Sequence, residues 1–262
     1  MYNLAPAVWV ELLKVRRSRM PLYTLLGFAL APLAGGFFMI VLKDPELARR
    51  VGIISAKAQI VAGAADWPTY LGFLAQATAV GGFILFSLIV SWVFGREFAD
   101  YTVKDLLALP TPRSSLVLAK FIVVAVWSAV LTAMIFVIGV GVGQVVGLPP
   151  APAGVWGPGT VVLAITAGLT IALVTPVAFF ASAGRGYLPP MGAAILVVVL
   201  TQIIAAAGWG DYFPWSIPAL YAGIGGVQSL TLSPISYALV GATGLVGVIA
   251  TLVWWELADQ PR

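Results

Sequence analysis

The sequence predicts an all-α membrane protein. It has six transmembrane helices, an amphipathic interfacial helix before the first, a short helix in a charged loop, and a re-entrant or interfacial segment before the last. Three observations predict this. Of 262 residues, 61% are hydrophobic and 9% are charged, against about 25% charged in ordinary soluble domains; no water-soluble fold hides that much apolar surface. Six long tracts carry no Asp, Glu, Lys or Arg in their interiors. The cations cluster at the ends of those tracts, with a bias that the positive-inside rule explains. Residues 1–262 read as one membrane domain. The formal net charge of +4 is assigned to the anionic lipid surface, not to nucleic acid.

Residues 4–19 come first. Leu4, Val8, Leu12 and Val15 fall at helical spacing, with Glu11, Lys14 and Arg17 off that stripe. This pattern suits a helix lying in the interface plane; a basic flank that only fixes topology fits as well. The first span is 21–42, long enough at about 1.5 Å per residue to cross a core of about 30 Å. Arg16, Arg17 and Arg19 precede it and Ala29-Leu30-Ala31 lies within it, but the apolar run continues to Leu42, so it is read as a retained span. Residues 43–68 are too polar to cross and read as an external loop.

The second span is 69–95, where Gly81-Gly82 allows a neighbour close. The third is 121–146. The fourth is 160–183, with a kink expected at Thr175-Pro176. The fifth is 191–207 and the sixth 233–255. Before the last, Trp209, Tyr212, Phe213 and Trp215 suit a membrane interface, and 219–232 is apolar but too short to span. Six spans place both termini on one side. That side holds ten of the fourteen cations, among them Lys14, Arg16, Arg17, Arg96, Lys104, Arg113 and Lys120, which makes it cytoplasmic.

Composition excludes several chemistries. With no Cys and no His, thiol and imidazole catalysis and most zinc sites are absent. Spans free of ionisable residues argue against proton relays and voltage sensors. There is no G-x-x-x-x-G-K-[ST] phosphate loop, so the chain is not expected to bind ATP that way or to be an enzyme.

Between spans two and three, residues 94–120 form a polar island. Thr102 and Asp105 fit a capping-box variant, starting a helix that runs through Leu109 and stops before Pro110. Thr111-Pro112 then reads as a second N-cap with Pro at N1. Val103, Leu106 and Leu107 line one face of the short helix. A helix this short needs a surface to bury that face: either a partner's groove, with Arg96, Glu97, Asp100 and Lys104 as rim charges, or its own bundle.

The order Arg96-Glu97, Thr102, Lys104, Leu106-Leu107, Pro110, Arg113, Lys120 resembles the first cytoplasmic loop of ABC type-2 exporter permeases. Glu11-x-x-Lys14-x-Arg16-Arg17 is similar to their opening basic helix. Tyr212-Phe213-Pro214-Trp215-Ser216-Ile217-Pro218 is similar to the external segment between their fifth and sixth spans. The pattern is most like the small permeases of bacitracin-resistance and lantibiotic-immunity exporters. One departure is Tyr101, where the family often has Gly.

The resemblance implies the membrane subunit of an exporter in a bacterial or archaeal cell membrane. Two such permease subunits, identical or related, would form the pathway, lined by spans two and five. Two cytoplasmic ABC ATPase subunits would dock on Glu11, Lys14, Arg16 and Arg17. They would also dock on a coupling helix and loop: Arg96, Glu97, Asp100, Thr102, Lys104, Leu106, Leu107 and Arg113. Tyr212, Phe213, Pro214, Trp215 and Pro218 would form an external gate or interface. No cofactor is expected on this chain; ATP and Mg would sit on the ATPases. Two alternatives stay open: a subunit of the same architecture that transmits force or recruits enzymes without moving a solute, and a secondary carrier or channel working alone.

Overall fold

The computed structural model describes residues 4–44, 64–108, 110–224 and 232–257. Most of the 43–68 loop, Leu109, the middle of 219–232 and the C-terminal tail lie outside the described residues. Every regular element among the described residues is helical. Helix α1 (Leu4–Arg16) precedes α2 (Met20–Lys43). The second span is α3 (Trp67–Ala77), a π turn (Thr78–Gly82) and α4 (Phe83–Ala99). A short α5 (Val103–Leu107) leads to α6 (Arg113–Val145). The fourth span is α7 (Trp156–Leu173) followed by α8 (Thr175–Ala183), the fifth is α9 (Leu188–Ala206), and the last is α11 (Pro234–Leu257). Between these two lie 3₁₀ turns at Gly210–Tyr212 and Pro214–Ser216 and the short α10 (Ile217–Tyr221). Six of these helical stretches are long and apolar enough to cross a membrane.

The spans overshoot the apolar tracts mainly at the charged end. α6 begins at Arg113 rather than near Phe121, and the second span runs to Ala99 rather than Gly95. Hydropathy marks only the part of a helix that lies in hydrocarbon, whereas the helix continues until it is capped. The 33 residues of α6 extend about 50 Å, so its ends project beyond a core of about 30 Å.

The fourth span breaks where Thr175-Pro176 predicts. Pro176 has no N–H for the Ala172 carbonyl, the partner it would have four residues back. That carbonyl accepts instead from the Thr175 hydroxyl at 2.8 Å and from the Val174 N–H. Thr175 Oγ1 also lies 2.8 Å from the Gly244 carbonyl of α11. A Cβ at Gly247 would meet the Pro176 nitrogen and the Thr175 hydroxyl. Glycine therefore lets α11 lie directly on the break.

Large side chains from most spans join one buried cluster, including Phe28, Tyr70, Phe86, Phe94, Ile135, Leu173 and Trp255. Edge-on ring pairs such as Phe28–Phe86, with centroids 5.6 Å apart, and Trp92–Trp127, 5.9 Å apart, interlock neighbouring spans. The fifth span is the most peripheral: Ile195, Leu196, Val199 and Ile203 are exposed on it.

Five helices among the described residues end in the same hydrogen-bonded turn. In it the residue after the C-cap takes a left-handed conformation. Gly147, Gly208 and Gly223 fill that position at the tryptophan-rich end. Tyr101 (φ 59°) and Arg185 (φ 51°) fill it at the charged end. After α4, the Thr102 N–H reaches the Glu97 carbonyl at 2.9 Å and the Tyr101 N–H reaches that of Phe98 at 3.3 Å.

Candidate functional site

The charged end holds an ion cluster drawn from three helices. Glu11 and Lys14 sit one turn apart on α1, Glu97 closes α4, and Lys120 lies two turns inside α6. Lys14 Nζ is 2.8 Å from Glu11 Oε1 and 2.6 Å from Glu97 Oε1. Lys120 Nζ is 3.2 Å from each of the same two oxygens. Each carboxylate therefore bridges both ammoniums, and two charges of each sign cancel. Lys120 is fully buried; its ammonium donates to Glu97 Oε1 and to the Val93 carbonyl at 2.9 Å and lies in ion-pair contact with Glu11. Glu97 Oε2 accepts from the Thr102 hydroxyl at 2.8 Å. Burial pulls the Lys14 ammonium toward neutrality, but Glu11 and Glu97 outweigh it and raise its pKa above the usual lysine value, so it stays charged.

This arrangement revises several expectations. The helical spacing sets Glu11 off the apolar stripe of α1, yet it is 5% exposed, while Leu12 of that stripe is 39% exposed and faces outward. The helix turns its acid inward because Lys120 waits beneath it. Glu97, expected as a rim charge, is also 5% exposed. Thr102 makes no capping box: its hydroxyl bonds Glu97 and it has no side-chain cap bond to α5. Thr111 is not the N-cap of the third span either; Pro112 occupies that position, with extended backbone (ψ 134°) before Arg113.

The apolar face of α5 rests on its own chain. Val103 is buried, and Leu106 packs beside Ala7, Leu116 and Ala119 where α1 crosses α6. Leu107 is half-buried against the main core. The surface α5 leaves open consists of Tyr101, Thr102, Lys104, Asp105 and Ala108, with Tyr101 89% exposed. Arg16, the last residue of α1, and Arg17 in the turn after it are exposed. Arg96 pairs with Asp100 at 3.2 Å and lies over the Trp92 ring at 5.1 Å. Arg113 donates to the Trp255 and Glu256 carbonyls at 3.0 and 3.2 Å, where a cation suits a helix C-terminus. The structure thus brings Glu11, Lys14, Glu97 and Thr102 together and sets Arg16, Arg17, Lys104 and Arg113 apart from them.

At the opposite end the aromatic segment divides. Trp209 and Tyr212 are exposed, as an interfacial belt requires, whereas Trp215 turns inward and donates its indole N–H to the Leu173 carbonyl at 3.2 Å. Phe213 and Pro214 are half-buried and Pro218 is buried. Ser216 donates to the Gly210 carbonyl, and Gln76 donates to that of Ala222 at 3.3 Å. The segment therefore dips between the spans to the break in the fourth helix. A cleft lined by Val80, Phe83, Thr201, Gln202 and Ser216 opens between it and spans two and five.

Sequence reasoning missed the cluster because Lys120 read as a topology cation and as the end of the loop motif, with no partner assigned to it. Two signals pointed to it: the Glu11/Lys14 pair at i,i+3, and an acid and a lysine at facing ends of two adjacent spans.

Residues 7–201 match the family model described as ABC-2 family transporter protein. The chain is also similar to the bacitracin transport permease protein BCRB of Bacillus licheniformis, 29% identical over 182 residues. That alignment covers 68% of this chain and 85% of the relative. The matched region takes in the ion cluster, the charged loop, the first four spans and most of the fifth, and with six helices long and apolar enough to cross a membrane it shows that the chain belongs to the ABC-2 transporter family, as a multi-pass membrane subunit.

Proposed function

We propose that this chain is the permease subunit of an ATP-driven exporter, worked by two separate cytoplasmic ABC ATPases docked at the charged end. The observation that carries this reading is the ion cluster. It ties α1, α4 and α6 at one point, and Thr102 links that point to the loop bearing α5. Force applied to α1 or to the loop would reach spans two and three without slack, because buried, mutually bridged charges resist separation. The exposed side chains around the joint, Tyr101, Lys104, Asp105 and Arg16, would meet the ATPases. The cluster itself would stay out of the contact.

The cation bias supports placing this end and both termini in the cytoplasm. Two permease copies would form the pathway. The cleft between spans two and five and the re-entrant segment supports those spans as its lining, and its apolar walls with a few polar groups suit amphiphilic cargo. Given the relative's role in bacitracin transport, the favoured cargo is an amphiphilic peptide antibiotic; lipid-like molecules share that chemistry. ATP and Mg would bind on the ATPases.

The test is a gentle pull-down of the tagged chain from native membranes, with wild type compared to Tyr101→Ala/Lys104→Glu. The wild type should bring down a soluble ATPase in stoichiometric amount, and the variant should lose it while remaining folded. A wild-type chain recovered alone, stable and oligomeric, would remove the ATP-driven reading. Flux in liposomes without ATP would then be measured. Replacing Leu106 and Leu107 is a poorer probe, since both pack on the chain itself.

A further inference from the structure

Beside the ion cluster, on the flank of α1 away from α5, lies a cavity of ≈ 570 Å³. The C-terminal part of α1, the end of α4 and Tyr187 at the turn into α9 enclose it. Lys14, Arg17 and Arg96 line it against one acid, Asp100. Lys14 and Arg96 are held in place by ion pairs. Arg17 has no ion-pair partner among the described residues. Ser18 and Tyr187 complete the polar lining; the Ser18 hydroxyl proton goes to the Val15 carbonyl at 2.9 Å, which leaves Tyr187 as the hydroxyl donor. A concave site with surplus positive charge is built for an anion with several acceptor oxygens, and guanidinium forks favour phosphate.

The surroundings narrow the source of that anion. The cavity sits at the level where α1 gives way to α2, the first apolar span. On α1, Val10 lines it and is 47% exposed, and neighbouring Trp9 is 62% exposed, an apolar surface suited to the acyl boundary of a bilayer. Trp92, a further wall of the cavity, carries Arg96 over its ring. We infer that this cavity binds a phosphate-bearing anion, the headgroup of an anionic phospholipid, against Arg17, Arg96 and Lys14. An occupied site would staple α1 to the membrane beside the joint on which the proposed coupling depends.

The experiment needs no ATPase, so its result is independent of the proposed export function. The purified chain is equilibrated with phosphatidylglycerol in mixed micelles, and retained lipid per chain is counted by native mass spectrometry. Arg17→Gln, Arg17→Gln/Arg96→Gln and Lys104→Gln are compared with wild type, with folding checked by circular dichroism. Wild type should retain one phosphatidylglycerol per chain. Arg17→Gln should weaken retention about tenfold, the loss of one charged hydrogen bond, and the double variant more; Lys104→Gln should change nothing. A parallel arm adds inorganic phosphate. Displacement of the lipid would support the phosphate site and assign it to a soluble anion, whereas no displacement assigns it to the headgroup. Equal retention by wild type and Arg17→Gln, or an equal loss in Lys104→Gln, would overturn the site and leave only diffuse attraction.

Discussion

At the tryptophan-rich end, Gly147, Gly208 and Gly223 take the left-handed residue that closes a helix. At the charged end the same turn is closed by Tyr101 and Arg185. Glycine adopts that conformation freely, while a residue with a Cβ pays roughly 1–2 kcal/mol. The two ends also differ in what joins their elements. Neutral hydrogen bonds hold the re-entrant segment, such as Trp215 to Leu173 and Ser236 to the Asp211 carbonyl at 2.8 Å. Four mutually bridged charges hold the other end. The contrast teaches where the molecule tolerates strain. The tryptophan-rich end is built to stay closed at low cost. The charged end instead carries backbone strain at Tyr101 and Arg185 and a buried ion cluster, costs that the other end does not bear.

The largest expected effect comes from breaking the joint. Lys120→Met leaves two carboxylates facing one ammonium in a buried place, which costs about 3–5 kcal/mol. Thermal unfolding in detergent should show a strongly lowered midpoint. Lys120→Met/Glu97→Gln should recover much of the loss, because the Glu11–Lys14 pair stays neutral overall. Equal destabilisation in both variants would mean that Lys120 acts through packing alone, and the comparison between the ends would lose its electrostatic half.

Next comes a change of opposite sign. Tyr101→Gly relieves the left-handed strain and should stabilise the chain by about 1 kcal/mol, the positional cost less the entropy glycine adds to the unfolded state. The same variant should weaken ATPase capture in the pull-down. Retained capture would show that the exposed ring is not what the strain maintains. At the opposite end Trp215→Phe keeps a six-membered ring but loses the pyrrole half of the indole and its neutral hydrogen bond. Its midpoint should fall by the equivalent of about 1–3 kcal/mol, and ATPase capture should not change.

The membrane architecture was legible because hydropathy reports burial in lipid directly. Six uncharged tracts gave six spans, and Thr175-Pro176 placed the break in the fourth. Family membership was legible from the ordered charges and turn residues of 94–120. What was not legible was which way charged side chains face. Glu11 looked like a surface residue from α1 alone; only the position of Lys120, more than a hundred residues away, turns it inward. The face of α5 was ambiguous for the same reason. A short apolar stripe fits a partner or its own bundle equally, and the crossing of α1 over α6, which no local pattern encodes, supplies the surface. Tyr101 stands where the family often has Gly, and its left-handed backbone (φ 59°) shows why glycine suits that position.

The smallest stability effect sharpens the comparison most. Arg96 and Asp100 form an i,i+4 pair on the exposed side of the charged end, with side chains 34% and 52% exposed. Such pairs contribute about 0.3–0.5 kcal/mol and are screened by salt. Asp100→Asn should therefore barely move the unfolding midpoint, and raised salt should erase what difference there is, unlike the effect of Lys120→Met. Yet Asp100 is the one acid lining the phosphate cavity. Removing its charge frees the Arg96 guanidinium and raises the local positive potential, so phosphatidylglycerol retention should rise while stability stays level. A fall in retention would mean that Asp100 orients Arg96 for the anion rather than competing with it, and would make the pair part of the site. A large loss of stability would place this pair with the buried cluster, and the boundary between a stiff base and an open contact surface would have to be drawn farther out, beyond Asp100.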